Sequence, residues 1–152
     1  MNTILFIENN PLIRDNLTEG FEMEGYNVLS ANNGNIGLAL AREFMPDLIV
    51  CGVIIDGMSG YEVLRLLLIS PITCEIPFIF CTTKAEKSDR AFALKLGAND
   101  YITKPFEFEL LFTMARSWIK SGSRRCHVNK LSFAGHINDQ LVCKCGLLFF
   151  ST

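Results

Sequence analysis

The 152-residue chain lacks any run of eighteen uninterrupted apolar residues, so no segment reads as a membrane-spanning helix. Its first fifteen residues place Glu8, Asn9 and Asn10 where a secretory leader needs its apolar stretch, and a cytoplasmic location is expected. Clustered positive charge is scarce too. Residues 1–121 hold 10 Lys and Arg against 15 Asp and Glu, while residues 122–152 hold 4 against 1, with Arg124 and Arg125 as the one adjacent basic pair. An acidic body with so small a basic patch argues against nucleic acid as the main partner, because phosphate backbones are bound by clustered Lys and Arg. The six cysteines, at 51, 74, 81, 126, 143 and 145, lack a strong paired metal spacing, and Cys51 and Cys81 lie inside apolar runs. Reduced thiols are expected.

About half of the residues are apolar, enough for one core and an appendage. Short β-branched and apolar runs at 3–7, 27–30, 48–51, 78–81 and 100–102 read as strands. Helical spacing links Ile13, Leu17 and Phe21; Ile36, Leu40 and Phe44; Val63 and Leu67; Ala91 and Leu94; and Leu110, Met114 and Trp118. Asn10 followed by Pro11 is a helix start, the amide accepting from otherwise unpaired N–H groups and the proline having none to leave unpaired. Five alternations of strand and helix predict an α/β fold, a parallel sheet covered on both faces. Such sheets bind ligands at the carboxyl ends of their strands. Those ends carry Glu8 and Asn9, Gly52, Thr82 and Lys104.

The order and spacing of IleLeuPheIleGluAsnAsn, PheIlePheCysThrThr and GlyAlaAsnAspTyrIleThrLysProPhe resemble the receiver domain of two-component response regulators over about residues 2–121. The resemblance implies a doubly wound, flavodoxin-like, five-stranded sheet of order 2-1-3-4-5. It also implies two acidic residues after the first strand and an aspartate ending the third that hold magnesium, the aspartate attacking a phosphoryl donor. Thr82 and Lys104 would contact the phosphoryl group, and Thr82 with Tyr101 would form a switch pair.

Here the aspartate's place is taken by Gly52, which has no side chain to attack, and the acidic pair is Glu8 and Asn9. Magnesium, a hard ion that prefers oxygen ligands, loses two of three carboxylates, so its binding is expected to be weak or absent and no cofactor is expected. Asp56, four residues on, reads as a solvated loop carboxylate; as the alternative it reaches back to Lys104 or a metal and serves as a substitute acceptor. A partly buried lysine needs a counter-charge, and Glu8 is the nearest carboxylate, so a Glu8–Lys104 contact across the space at Gly52 is predicted. Tyr101 reads either as a switch-like aromatic with one fixed rotamer or as a ring packed at a strand end.

Residues 122–130 read as a linker, and residues 131–152 as a C-terminal extension forming a two-strand hairpin, too short for an output domain. Cys126, His127, Cys143 and Cys145 can be written as a zinc set, but their spacing is not a strong one, and small apolar side chains on a strand face is the preferred reading. The functional expectation is a non-enzymatic, phosphorylation-independent pseudo-receiver that binds a signalling protein or a second copy of itself, with neither nucleic acid nor membrane as partner. A homodimer would form through the extension or the face made by the fourth helix, fifth strand and fifth helix, where Arg90, Lys95, Glu107, Glu109 and Arg116 are of mixed sign. The alternatives are a receiver phosphorylated on Asp56 and a small-ligand or metal sensor built on Glu8, Asn9, Thr82 and Lys104.

Overall fold

The computed structural model describes residues 1–122. All of the expected linker except Gly122, and the whole 131–152 extension with its cysteines and His127, lie outside the described residues. The elements alternate as expected: β1 (Thr3–Ile7), α1 (Pro11–Met23), β2 (Asn27–Ala31), α2 (Gly34–Phe44), β3 (Leu48–Cys51), α3 (Gly60–Leu68), β4 (Phe78–Thr82), α4 (Lys87–Leu96), β5 (Asp100–Thr103) and α5 (Phe108–Ser121). The strands form one parallel sheet of order β2-β1-β3-β4-β5, with Ile4 opposite both Val28 and Leu48, Ile49 opposite Phe78, and Phe80 opposite Tyr101. No helix among the described residues is long and apolar enough to cross a membrane.

Because successive side chains of a strand point to opposite faces, the sheet divides the core in two. Ile4, Phe6, Val50, Ile79 and Ile102 pack with Leu17 and Phe21 of α1 and Leu111 and Ala115 of α5. Leu5, Ile7, Ile49, Phe78 and Phe80 pack on the other face with residues of α2, α3 and α4. Phe21 centres the first layer, its ring 5.1 Å from Phe6 and 4.7 Å from Phe112, both edge-on. Side-chain caps fix three helix starts: Asn10 Oδ1 accepts from Ile13 N at 3.1 Å, Asn33 Oδ1 from Ile36 N at 2.9 Å and Ser59 Oγ from Glu62 N at 3.2 Å.

Three helix faces differ from the spacing-based expectation. In α2 the buried residues are Gly34, Gly37, Leu38 and Ala41, while Ile36 and Phe44 are exposed. The helix lies so close to the sheet that a Cβ on Gly37 would stand 2.5 Å from Ile7 Cδ1, so small residues meet the sheet with Leu38 buried beside them, and Ile36 and Phe44 turn away. In α4 the buried residue is Ala93 rather than Ala91 or Leu94, and in α5 Leu111 and Ala115 are buried while Leu110 is exposed. Thr82 and Thr103 fall within their strands, as the last residues of β4 and β5.

After Cys51 the chain turns through residues 52–59, and Gly60 N returns to donate to Val53 O at 2.8 Å. A Cβ on Gly60 would lie 2.0 Å from Gly52 O, a collision with backbone that no rotamer relieves. Gly60→Ala is therefore expected to lower stability by roughly 3 kcal/mol, measured by urea unfolding. A loss below about 0.5 kcal/mol would mean that the β3–α3 loop simply gives way.

Candidate functional site

The strand ends converge on a buried ion pair. Glu8 follows β1 and extends its ladder, its N–H donating to Ala31 O at 3.0 Å. Its carboxylate is engaged at both oxygens: Oε1 accepts from Lys104 Nζ at 2.8 Å and Oε2 from Asn10 N at 3.0 Å. Arg14 Nη1, one turn into α1, donates to Glu8 O at 2.7 Å. Lys104, beyond β5, is held by Lys104 N donating to Thr82 O at 2.8 Å. The Glu8 and Lys104 side chains are 5% and 16% exposed, so the pair is held largely out of water. The predicted Glu8–Lys104 contact is thus present, and it joins the two strand ends across that of β3.

Gly52 is buried, its N–H donating to Ile7 O at 2.9 Å. A Cβ built there would lie 3.2 Å from Ile55 Cγ2 and 3.7 Å from both Cys81 O and Glu8 Oε1. A side chain of one carbon would fit after a shift of Ile55, so the neighbours have not collapsed into the position. What the position lacks is a nucleophile. Asn9, half-buried, lies between Glu8 and the cap residue Asn10. Asp56 is exposed in the turn that follows β3, and its backbone bridges to Asn33, Asp56 O accepting from Gly34 N at 2.9 Å. Lys104 is paired with Glu8 and not with Asp56.

The residues do not fit a magnesium ion. The one carboxylate at the strand ends has both oxygens engaged, and an ammonium 2.8 Å away repels a second cation. Among the described residues no group of three His, Cys, Asp or Glu side chains could hold a metal.

Thr82 and Tyr101 both engage the backbone of Lys84. Thr82 Oγ1 accepts from Lys84 N at 3.2 Å, and Tyr101 Oη donates to Lys84 O at 2.7 Å, with the ring buried. Burial pushes the Tyr101 phenol up to about 12, with smaller contributions from Tyr61 and Asp89 and opposition from Arg90. Burial also raises the thiols of Cys51 and Cys81, the latter to about 12, and both are free and packed in the core.

Sequence reasoning missed Lys84, which acts through its backbone and leaves no side-chain signal. It also missed the network at the outer edge of β5. Arg90 Nη1 donates to Tyr101 O at 3.0 Å, its Nη2 lies 3.7 Å from Asp100 Oδ1, and Trp118 Nε1 donates to Asp100 Oδ2 at 2.9 Å. Beside it a groove of about 480 Å³ is lined by Lys87, Arg90, Tyr101, Pro105, Phe106 and Leu110 among others.

Removing one partner of a buried pair leaves the other charge uncompensated, so Lys104→Met is expected to cost roughly 3 kcal/mol by urea unfolding. The Glu8→Met/Lys104→Met double variant should fall short of the summed single effects by about 1–3 kcal/mol; strict additivity would mean the contact contributes nothing. Tyr101 yields a pH prediction. Its folded pKa is raised, so the unfolded phenol loses its proton first, and stability falls as pH rises from the ordinary 10.0 to about 12. Ultraviolet difference titration against Tyr101→Phe should place the missing phenolate signal near pH 12, and a signal near 10.0 would contradict the buried phenol.

The profile of the response regulator receiver domain matches residues 4–116. Protein PilH of Pseudomonas aeruginosa is 37% identical over 111 residues, covering 73% of this chain and 92% of that protein. The phosphate regulon transcriptional regulatory protein PhoB of the same organism is 38% identical over 104 residues, 68% of this chain but 45% of PhoB. The chain thus spans about half the length of several transcriptional regulators it matches. Among solved structures, the signal receiver domain of a histidine kinase from Syntrophus aciditrophicus has TM-score 0.75 at 29% identity, covering 82% of this chain and 94% of that one. The receiver domain of the sensor histidine kinase PA1611 from Pseudomonas aeruginosa, with a magnesium ion in its active site cleft, has TM-score 0.73 at 27% identity and covers 78% and 98%. The order of the strands and these likenesses agree, and the chain belongs to the response regulator receiver domain family.

Proposed function

We propose that this receiver is a pseudo-receiver, a two-component signalling module that works without aspartyl phosphorylation, by recognising a signalling protein or a second copy of itself. The observation that carries the reading is the strand-end pair. Position 52 offers no carboxylate, and the lysine that would meet a phosphoryl group is already neutralised by Glu8 at 2.8 Å. Attack on a phosphoryl donor needs a nucleophile aligned with it. The module has no catalytic activity of its own, holds magnesium weakly or not at all, and works in the cytoplasm.

Regulation by phosphorylation also needs an equilibrium that the modification can shift. Tyr101 is anchored on Lys84 O in the unmodified chain, with its ring buried behind the groove of α4, β5 and α5. That face then has a constant shape, and partner binding depends on complementarity to it. Its floor is apolar and aromatic and its rim mixes Glu86, Lys87, Arg90 and Glu107, the make-up of a protein-binding surface rather than a nucleic-acid one.

Native mass spectrometry before and after incubation with magnesium and a small-molecule phosphodonor tests the reading. Wild type and Asp56→Ala are both expected to keep their unmodified mass. A phosphoryl adduct on wild type that disappears in Asp56→Ala would overturn the proposal and make Asp56 the acceptor.

A further inference from the structure

A parallel sheet wrapped by antiparallel helices puts every helix carboxyl end at the pole opposite the strand ends that carry Glu8 and Lys104. At that pole, large apolar side chains stand in solvent at the ends of three neighbouring helices: Phe44 and Met45 at the end of α2, Ile69 and Ile72 after α3, and Leu96 at the end of α4. Each is between 37% and 64% exposed. The ends of α3 and α4 are close together, since a Cβ on Gly97 would lie 2.7 Å from Leu68 Cδ1, and α2 packs beside α3. Met45 sharpens the picture. It terminates α2 in the left-handed conformation (φ 48°), where glycine or asparagine is favoured, yet the position carries a long apolar side chain that is 42% exposed. Exposed apolar residues scattered singly need no explanation, whereas five gathered at one end of a fold mark a surface made to be covered.

We infer that this pole is the docking site of the chain's own C-terminal segment, residues 131–152. α5 ends at Gly122 at the same pole, and thirty residues of chain follow it. α5 packs on the other face of the sheet from α2, α3 and α4, so the segment must cross two layer spacings, roughly 20 Å, which residues 123–130, about 26 Å when extended, can span. Its composition matches. LeuValCysLysCysGlyLeuLeuPhePhe, residues 141–150, has eight apolar residues in ten. A tether this short holds the segment at an effective concentration near millimolar, above that of any second copy at micromolar protein.

The test is photocrosslinking in the full chain with Ile72→p-benzoylphenylalanine, and with Leu12→p-benzoylphenylalanine at the opposite pole as the reference. The proposal expects crosslinks from position 72 to residues 131–152 in monomer-mass protein, at least about tenfold above those from position 12. Adding Leu147→Asp and Phe149→Asp should abolish them. Equal yields at the two positions, no crosslink to the segment, crosslinks confined to dimer-mass protein, or crosslinks that persist undiminished in the aspartate variant would each overturn it. The dimer result would assign the patch to a second copy instead.

Discussion

Parallel pairing brings the carboxyl ends of β1, β3, β4 and β5 to one pole, and with them Glu8, Gly52, Thr82 and Lys104. A lysine delivered there has little water and must find a negative partner. In this chain the partner is Glu8, reached across the end of β3, where Gly52 follows the strand. The pairing organises its surroundings: Asn10 N and Arg14 complete the hydrogen bonds of Glu8, and Thr82 O fixes the backbone of Lys104. The charges of Glu8 and Lys104 are satisfied within the chain.

Much of this was legible in the residues. Strand positions were readable because each strand is a short, dense apolar run, and the strand ends follow from the parallel topology alone. The Glu8–Lys104 contact was readable because a buried lysine demands a counter-charge and Glu8 is the carboxylate nearest to it among the strand ends. The inward faces of α2 and α4 were not. Apolar periodicity weighs large side chains most, but a helix pressed close to a sheet turns its smallest residues inward, as Gly34, Gly37 and Ala41 show in α2 and Ala93 in α4. Nor could Lys84 be foreseen, since its backbone, and not its side chain, anchors Thr82 and Tyr101.

The close fit at the end of β3 sets the backbone at Gly52 without help from a side chain. Gly52 O lies against Gly60, and Gly52 N is tied to Ile7 O, so the backbone path is set by packing on both sides. A residue with no side chain therefore costs the fold no support there, and Lys104 takes its place in the scaffold through Glu8.

Trp118 is the only tryptophan in the chain, and its indole N–H donates to Asp100, which also sits beside Arg90 at the outer edge of β5. The molecule therefore carries a built-in optical reporter next to the groove of α4, β5 and α5. Indole emission responds to the charge and hydration around the ring, so any occupant that draws Arg90 away from Asp100 would register as a change in colour or intensity, without a label and in the native chain.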